Sequence, residues 1–406
     1  MPTTPDPILN EPASAGEVAA ALKLASDARQ SIVIRGAGTK DGWGRPAERI
    51  DAVLDMRRLN RILAHEHGDL TATIEAGATL ADVNQALAVH GQVLPLDPPF
   101  ADRATIGGLL ATNDSGPLRH RYGTPRDLVI GIQLATTDGV LSKAGGRVVK
   151  NVAGYDLSKL VTGSFGSLAA IVSATFKLSP LPAASKTMRI GVSDAAAVAE
   201  IVRTMMSSQL EPVAFELRTN GEPRTTNDAV LLRFASLPAV VDAQIGQATA
   251  ALKDCATSVA VVDGDAERGL WHAHATEIWS STGAIVRASW LPANIAAGFA
   301  ELAGLKPSAT STPDGVTEGA GPALIGRAAI GAGLIRIDGD VAAQAAAIEQ
   351  LRASSTFGNI VIVRGSLELK ARVDVWGSHG DRRPLFDSLK RAFDPNGVLN
   401  AGRGPL

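Results

Sequence analysis

The chain has 406 residues, of which 45% are apolar, so it is long enough for two to three domains with sizeable cores, and wholesale disorder is excluded. Lys and Arg number 39 against 41 Asp and Glu, a net charge of −2, so no polyanion-binding surface is indicated and nucleic acid is not expected as a partner. A single cysteine, Cys255, excludes an internal disulfide, a multi-cysteine metal site and iron–sulfur ligation by this chain alone, and it fits a reducing compartment.

The N-terminal stretch MPTTPDPILNEPASAGE carries acids and prolines and lacks the basic start and apolar run of a signal peptide. The longest uncharged window, between Lys159 and Lys177, holds five Ser/Thr and two Gly in seventeen residues. It is too short and too polar to span a bilayer. The expectation is a cytoplasmic protein with no transmembrane segment, or one held peripherally at the inner face of the membrane through its partners.

In chain order, 15–29 has helical spacing, and the β-branched run at 31–34 follows as a buried strand. Strands are predicted at 51–55 and 71–75, and a helix at 79–90 opened by the Thr79 hydroxyl. Residues 95–126 are crowded with Gly, Pro, Asn and Asp and cannot be regular throughout. Strands return at 128–136, 139–143 and 168–178, and Pro180 and Pro182 mark a boundary. Beyond it come a strand at 187–192, a helix at 194–208, strands at 212–218 and 229–234, a helix at 237–252 and a strand at 257–262. That βαββαβ order is the split, ferredoxin-like arrangement. A further helix-and-strand set runs to about Arg364, broken by a turn-rich loop at 305–322, and a helix at 384–393 precedes the tail. No short-period repeat is visible.

Three motifs carry chemistry. Arg35-Gly36-Ala37-Gly38-Thr39-Lys40 directly follows a strand, and its two glycines let backbone N–H groups converge on an anion. A dinucleotide-binding turn would need a third glycine where Asp41 stands and a helix that Gly42, Gly44 and Pro46 disfavour, although Asp55 lies at the right distance for a ribose-binding acid. By itself the stretch reads best as a plain glycine-rich turn. In the second motif, residues 104–116, the adjacent glycines Gly107 and Gly108 let a planar, phosphate-bearing ligand approach at backbone distance, with Thr105, Thr112 and Asn113 as neutral hydrogen-bonding groups. A loop this long inside a compact domain favours function over mere connection. The third runs from Lys150-Asn151-Val152-Ala153-Gly154-Tyr155-Asp156 to Gly163-Ser164-Phe165-Gly166 and feeds an apolar strand. It is balanced between a ligand site and a helix start followed by a turn.

The order RGAGT, ATIGGLLATNDSG, RYG, KNVAGYDLSKLVTGSFGSLAAIV and, near the end, FDPNGVLNAGR resembles the vanillyl-alcohol oxidase (PCMH-type) FAD-binding flavoproteins. Within that family the KNVAGYDL wording and short cap look most like the E-subunit branch of the bacterial glycolate oxidases. The resemblance covers roughly residues 30–180 and 384–403. It implies an α+β fold: a two-subdomain FAD-binding domain over 1–182, a ferredoxin-like α+β cap over 183–375, and a segment at 376–406 returning to the first domain. It further implies an FAD-dependent oxidoreductase acting on CH–OH groups. This chain would be the FAD-binding subunit of a hetero-oligomer that turns glycolate, or a similar small 2-hydroxy acid such as D-lactate, into the 2-oxo acid. The implied partners are a second flavoprotein subunit and an iron–sulfur subunit. A non-catalytic FAD-holding or electron-relay subunit, or a stand-alone oxidase of the same fold, are the alternatives.

Carried over residue by residue, the resemblance implies that the stretch from Arg35 through Gly36, Ala37, Gly38, Thr39 and Lys40 cradles the FAD pyrophosphate. Thr105, Gly107, Gly108, Thr112, Asn113 and Gly116 would line the flavin and its phosphates, Gly166, Ile171 and Val172 would meet the cofactor through their backbone, and Arg403 would return the tail to the cofactor domain. Thr39 stands where many relatives carry a flavin-linking His, so the FAD is expected to be non-covalent. The GHxGDGN element of hydroxy-acid-oxidising relatives is missing, and their E-H-G triplet is matched only by Ser378-His379-Gly380. His379 could serve as a general base or be an ordinary loop residue. No other catalytic residue is assigned, and no base-and-cation cluster is legible in the cap. His65 and His67 have no third ligand nearby in sequence, and His272 and His274, two apart on a predicted helix, face different directions, so both pairs read as surface or core residues and not as metal ligands.

Overall fold

A computed structural model describes residues 6–146, 155–219, 229–305, 310–312, 315–317 and 322–405. The chain forms two compact units, the first from Met1–Gly116, Tyr122–Leu181 and Ser378–Leu406, the second from Pro117–Arg121 and Pro182–Gly377.

The first unit is built on two sheets. Strands β1 (Ile8–Asn10), β2 (Ile32–Arg35) and β3 (Ala52–Asp55) pair in parallel in the order β1-β3-β2. The helix Ala15–Asp27 connects β1 to β2. Ser14 opens it by accepting from the Glu17 N–H at 3.2 Å, while the Glu17 carboxylate accepts from the Ala13 N–H at 2.9 Å and the Ser14 hydroxyl at 3.1 Å. Its buried Val18, Ala19, Leu22 and Ala25 follow helical spacing and pack with Ile32, Leu54 and Val172. The second sheet is antiparallel. It uses β4 (Ile62–Glu66), β5 (Thr71–Glu75), then β6 (Gln92–Val93) as a separate short pairing, β7 (Val129–Ala135), β8 (Leu141–Gly145) and β9 (Ala170–Lys177), ordered β4-β5-β9-β7-β8. β10 (Ser179–Pro180) closes the unit against β6. The central β9 is buried along seven of its eight residues, as a strand covered on both faces must be. β4 was not anticipated from sequence, and a short helix, Ile106–Thr112, forms inside the turn-rich 95–126 stretch.

The tail is part of the first sheet. The Ile32 N–H donates to the Val398 carbonyl at 2.9 Å and the Asn400 N–H to the Ile32 carbonyl at 3.0 Å, so Leu399 sits beside Ile32 like a further parallel strand. Asp394 holds this turn together, its carboxylate accepting from the N–H groups of Val398 (3.0 Å) and Leu399 (2.8 Å) and from Lys390 Nζ (2.7 Å).

The second unit carries one antiparallel sheet. Its strands are β11 (Ala184–Gly191), β12 (Ala214–Thr219), β13 (Ala229–Ser236), β14 (Ser258–Asp263) and β15 (Ala284–Trp290). After a small hairpin, β16 (Thr310–Thr312) and β17 (Gly315–Thr317), come β18 (Ala323–Arg327), β19 (Ala332–Ile337) and β20 (Phe357–Arg364). The eight-stranded order is β14-β11-β13-β12-β18-β19-β15-β20. Its first half is the expected split βαββαβ. The second half repeats that plan in mirror order, with β15, β18, β19 and β20 in the roles of β11, β12, β13 and β14, and the halves join where β12 pairs β18. The unit is thus two ferredoxin-like modules side by side, where the sequence reading saw one and an unassigned helix-and-strand set. Among the described residues, no helix is long and apolar enough to cross a membrane.

Candidate functional site: a glycine-lined cradle in the first unit

At the end of β2 the chain turns sharply, and the reason is local. Gly38 has φ +73°, a left-handed conformation that favours glycine. Gly36 lies so close to the Thr105 side chain that a Cβ there would stand 2.2 Å from Thr105 Oγ1. The turn is pinned by Arg35 and Asp41, whose side chains pair at 2.7 Å across its ends. No helix follows, so the dinucleotide-binding alternative fails, and Asp55 is engaged by Arg57 at 2.7 Å.

The opposite wall is the helix Ile106–Thr112. Thr105 precedes it without a side-chain capping bond, and Thr112 Oγ1 donates back to the Gly108 carbonyl at 2.8 Å. Gly107 approaches Ala76 so closely that an added Cβ would stand 2.8 Å from the Ala76 Cβ, whereas at Gly108 the nearest atom is Thr105 Oγ1 at 3.2 Å. At Gly108 that hydroxyl is the one atom within 4 Å. A third wall is the turn Phe165-Gly166, with φ +57° and +69°, which precedes β9. Asn400 locks it, donating from Nδ2 to the Phe165 carbonyl at 2.6 Å while its Oδ1 accepts from the Ile34 N–H at 3.0 Å.

These walls line a single open cleft. Arg35, Gly36, Ala37, Gly38, Thr39, Lys40, Thr105, Gly107, Gly108, Thr112, Gly166, Ile171 and Arg403 all line it. Three residues singled out from sequence do not. Asn113 adopts a left-handed conformation (φ +45°) at the end of the helix, and its Oδ1 accepts from the Arg126 N–H at 3.2 Å. Gly116 lets the backbone pass Asp97, whose carbonyl oxygen would stand 1.8 Å from a Cβ. Val172 points away from Ile171, as alternate strand residues do, and packs in the core beneath the helix Ala15–Asp27. The lining also includes Ile34, Asp41, Met56, Ala76, Ala111, Phe165, Ala169 and Asn400, which sequence reasoning did not assign. Phe165 and Asn400 lie inside the quoted motifs. Ala76 and Met56 had no signal beyond small or apolar character.

The electrostatics suit an anionic ligand with a planar part. Lys40 is buried, its Nζ 3.3 Å from Asp114 Oδ2 and without a hydrogen-bond partner among the described residues. Arg403 donates from Nη2 to the carbonyls of Asp41 (2.7 Å), Lys40 (3.4 Å) and Trp43 (3.5 Å), fastening the tail to the first loop. Burial lowers its pKa from the usual arginine value, with Asp41 opposing. Among the described residues, no histidine lines the cleft.

The other sequence candidates fall elsewhere. Lys150-Asn151-Val152-Ala153-Gly154 lie outside the described residues. Tyr155 is exposed, and Asp156 caps the helix Leu157–Val161 by accepting from the Lys159 N–H at 3.1 Å. His379 packs edge-on against Phe386, ring centroids 5.3 Å apart. In the second unit His274 is buried on the helix Gly264–Thr276, its Nε2 3.1 Å from Glu216 Oε2, with Arg327 on the other Glu216 oxygen at 3.5 Å. His274 also borders a small cleft with Arg218 and Arg336, which are paired with Glu277 and Asp338. So the cap does bring a histidine and cations together, a cluster the sequence did not reveal because its members come from β12, β19 and a helix. Against the reading that His65 and His67 lack a third ligand, the structure places His90 beside them.

Fold and cradle together define a flavin-binding domain of the PCMH type. Residues 7–145 match the family described as FAD binding domain, and FAD is the cofactor. The chain is 37% identical over 183 residues to the glycolate oxidase subunit GlcE of Escherichia coli (strain K12), covering 45% of this chain and 51% of that protein. It is 33% identical over 212 residues to the glycolate oxidase subunit GlcD of Bacillus subtilis (strain 168), covering 52% and 45%. The chain thus spans about half the length of these relatives. A solved alkyldihydroxyacetonephosphate synthase shares the fold, with TM-score 0.67 at 19% identity over 97% of this chain and 75% of that one.

Proposed function

We propose that this chain is the FAD-binding subunit of a complex that oxidises a small 2-hydroxy acid, such as glycolate or D-lactate, to the 2-oxo acid. A second flavoprotein subunit and an iron–sulfur subunit are its proposed partners. The observation that carries the reading is the cradle itself. Two glycine stretches expose backbone to one cleft, and Lys40, ion-paired with Asp114, lines it as well. The likeness to glycolate oxidase subunits supports the substrate class.

In this reading the loop from Gly36 to Lys40 binds the pyrophosphate, with Lys40 supplying charge and Arg35 and Arg403 holding the loop's shape. Thr105, Gly107, Gly108 and Thr112 border the ring system, and Gly166 and Ile171 close the floor. Bound FAD supplies the hydride acceptor. Charge-assisted bonds contribute about 1.5–3 kcal/mol each, so several suffice for retention without a covalent link.

The test is glycolate-dependent dye reduction by the purified FAD-loaded chain, alone and after copurification with untagged partners. Turnover is expected with the partners and not without them. Steady turnover by the isolated chain, lost in His379→Ala, would make this the catalytic subunit.

A further inference from the structure

We propose that His65, His67 and His90 form a zinc site on the first unit, separate from the FAD cradle. His65 lies near the end of β4, His67 follows that strand, and His90 sits in the turn that ends the helix Leu80–Ala88, its N–H donating to the Leu87 carbonyl at 3.0 Å. One ring nitrogen from each residue falls within 4.8 Å of the other two. The ring centroids are 3.6 Å apart for His67 and His90, 4.1 Å for His65 and His67, and 5.3 Å for His65 and His90. None of the three lines the cradle.

Zinc binds imidazole nitrogen at about 2.0–2.1 Å in tetrahedral geometry, which places ligand nitrogens roughly 3.3 Å from one another. Rotation of the exposed His67 and His90 rings closes the remaining gap, since neither is packed into the core. Three imidazoles and no thiolate or carboxylate select a borderline metal over calcium or magnesium. Such a site leaves a fourth position for water.

A second observation supports the assignment. Gln92 is buried and stands behind the cluster, donating from Nε2 to the His67 carbonyl at 2.8 Å. That bond fixes the amide orientation, so the Gln92 Oε1 facing His65 Nε2 at 2.8 Å must accept, and Nε2 must carry the proton. His65 Nδ1 is left with its lone pair available. An outer residue that holds one ring nitrogen protonated so that the other can ligate is the usual support of a metal-bound histidine. Gln92 is thus a positioning residue, tying together His65 and the backbone of His67.

The experiment uses the untagged chain, stripped with EDTA and titrated with zinc chloride by calorimetry, with bound metal counted after dialysis. Wild type should hold one zinc per chain and melt at a higher temperature with zinc than without it. His67→Ala and His90→Ala, both at exposed positions, should lose the bound zinc and the melting shift. Gln92→Leu should weaken binding about 10–100-fold. His272→Ala should bind like wild type. FAD content, read from the visible spectrum, should be unchanged in the His67 and His90 variants, which separates loss of metal from loss of fold. Failure of wild type to retain zinc, or equal retention by the His67→Ala, His90→Ala double variant, overturns the proposal.

Discussion

Lys40 and Asp114 form an ion pair at 3.3 Å with side chains only 8% and 5% exposed, joining the loop after β2 to the segment that follows the helix Ile106–Thr112. The two segments are the two long walls of the cradle, so the pair sets the width of the cleft. Removing one partner from a buried pair strands the other charge, which costs about 3–5 kcal/mol. Lys40→Met is therefore expected to lower urea stability by about 3 kcal/mol in the apo chain and to weaken FAD retention further. Unchanged apo stability would show that Asp114 is held adequately by its other contacts.

Two glycines of the same motif should behave differently. At Gly108 the nearest obstacle to a Cβ is one hydroxyl at 3.2 Å, so Gly108→Leu should fold and project its side chain into the cleft. At Gly116 a Cβ would meet the Asp97 carbonyl oxygen at 1.8 Å, so Gly116→Ala should damage the fold itself. The first variant is expected to retain apo stability while losing bound flavin. It should also lose the ligand's stabilisation, about 2.7 kcal/mol when FAD stands at 100 times its dissociation constant. Comparing melting curves with and without added FAD separates the two. Normal flavin content in Gly108→Leu would remove the helix wall from the site.

Much of this was legible in the sequence, and the reasons are physical. β5 occupies Thr71–Glu75 as predicted, and Thr79 caps the helix it was expected to open because its side chain satisfies an N–H group the helix cannot. What escaped were relationships that no local pattern encodes. A motif can nominate both Ile171 and Val172, but only strand pairing decides which faces the cleft and which the core. His90 lies on a different element from His65 and His67, so their convergence depends on how the helix Leu80–Ala88 packs with β5 and β6. The second ferredoxin-like module went unread because the hairpin of β16 and β17 separates β15 from β18, lengthening its first crossover beyond the usual spacing.

Thr39 lines the cleft in the first loop, and its hydroxyl is too weak a nucleophile at neutral pH to form the flavin bond that an imidazole could form. All yellow colour should therefore leave the protein on acid or heat precipitation and appear in the supernatant. Flavin remaining in the washed pellet would mean that another side chain makes the link.

The last prediction concerns pH and lies in the second unit. His120 packs edge-on against Phe215, ring centroids 5.9 Å apart, and its buried Nδ1 has no hydrogen-bond partner among the described residues. Burial lowers its pKa, Glu216 partly opposes this, and Arg121 adds to it. In the unfolded chain the ring titrates near its ordinary value of about 6.5. Between the lowered folded value and that ordinary value the unfolded state binds more protons, so stability rises with pH across the window. The contribution of His120 is complete above about pH 6.5 and fades as pH falls through the folded value. His120→Leu removes the titration while keeping an apolar contact with Phe215. Its urea midpoint should fall less steeply than that of wild type as pH drops from about 7 to 5, and the two curves should converge toward the acid end. Parallel curves over that range would show that His120 exchanges its proton equally in both states, and that the acid sensitivity of the unit arises from other groups.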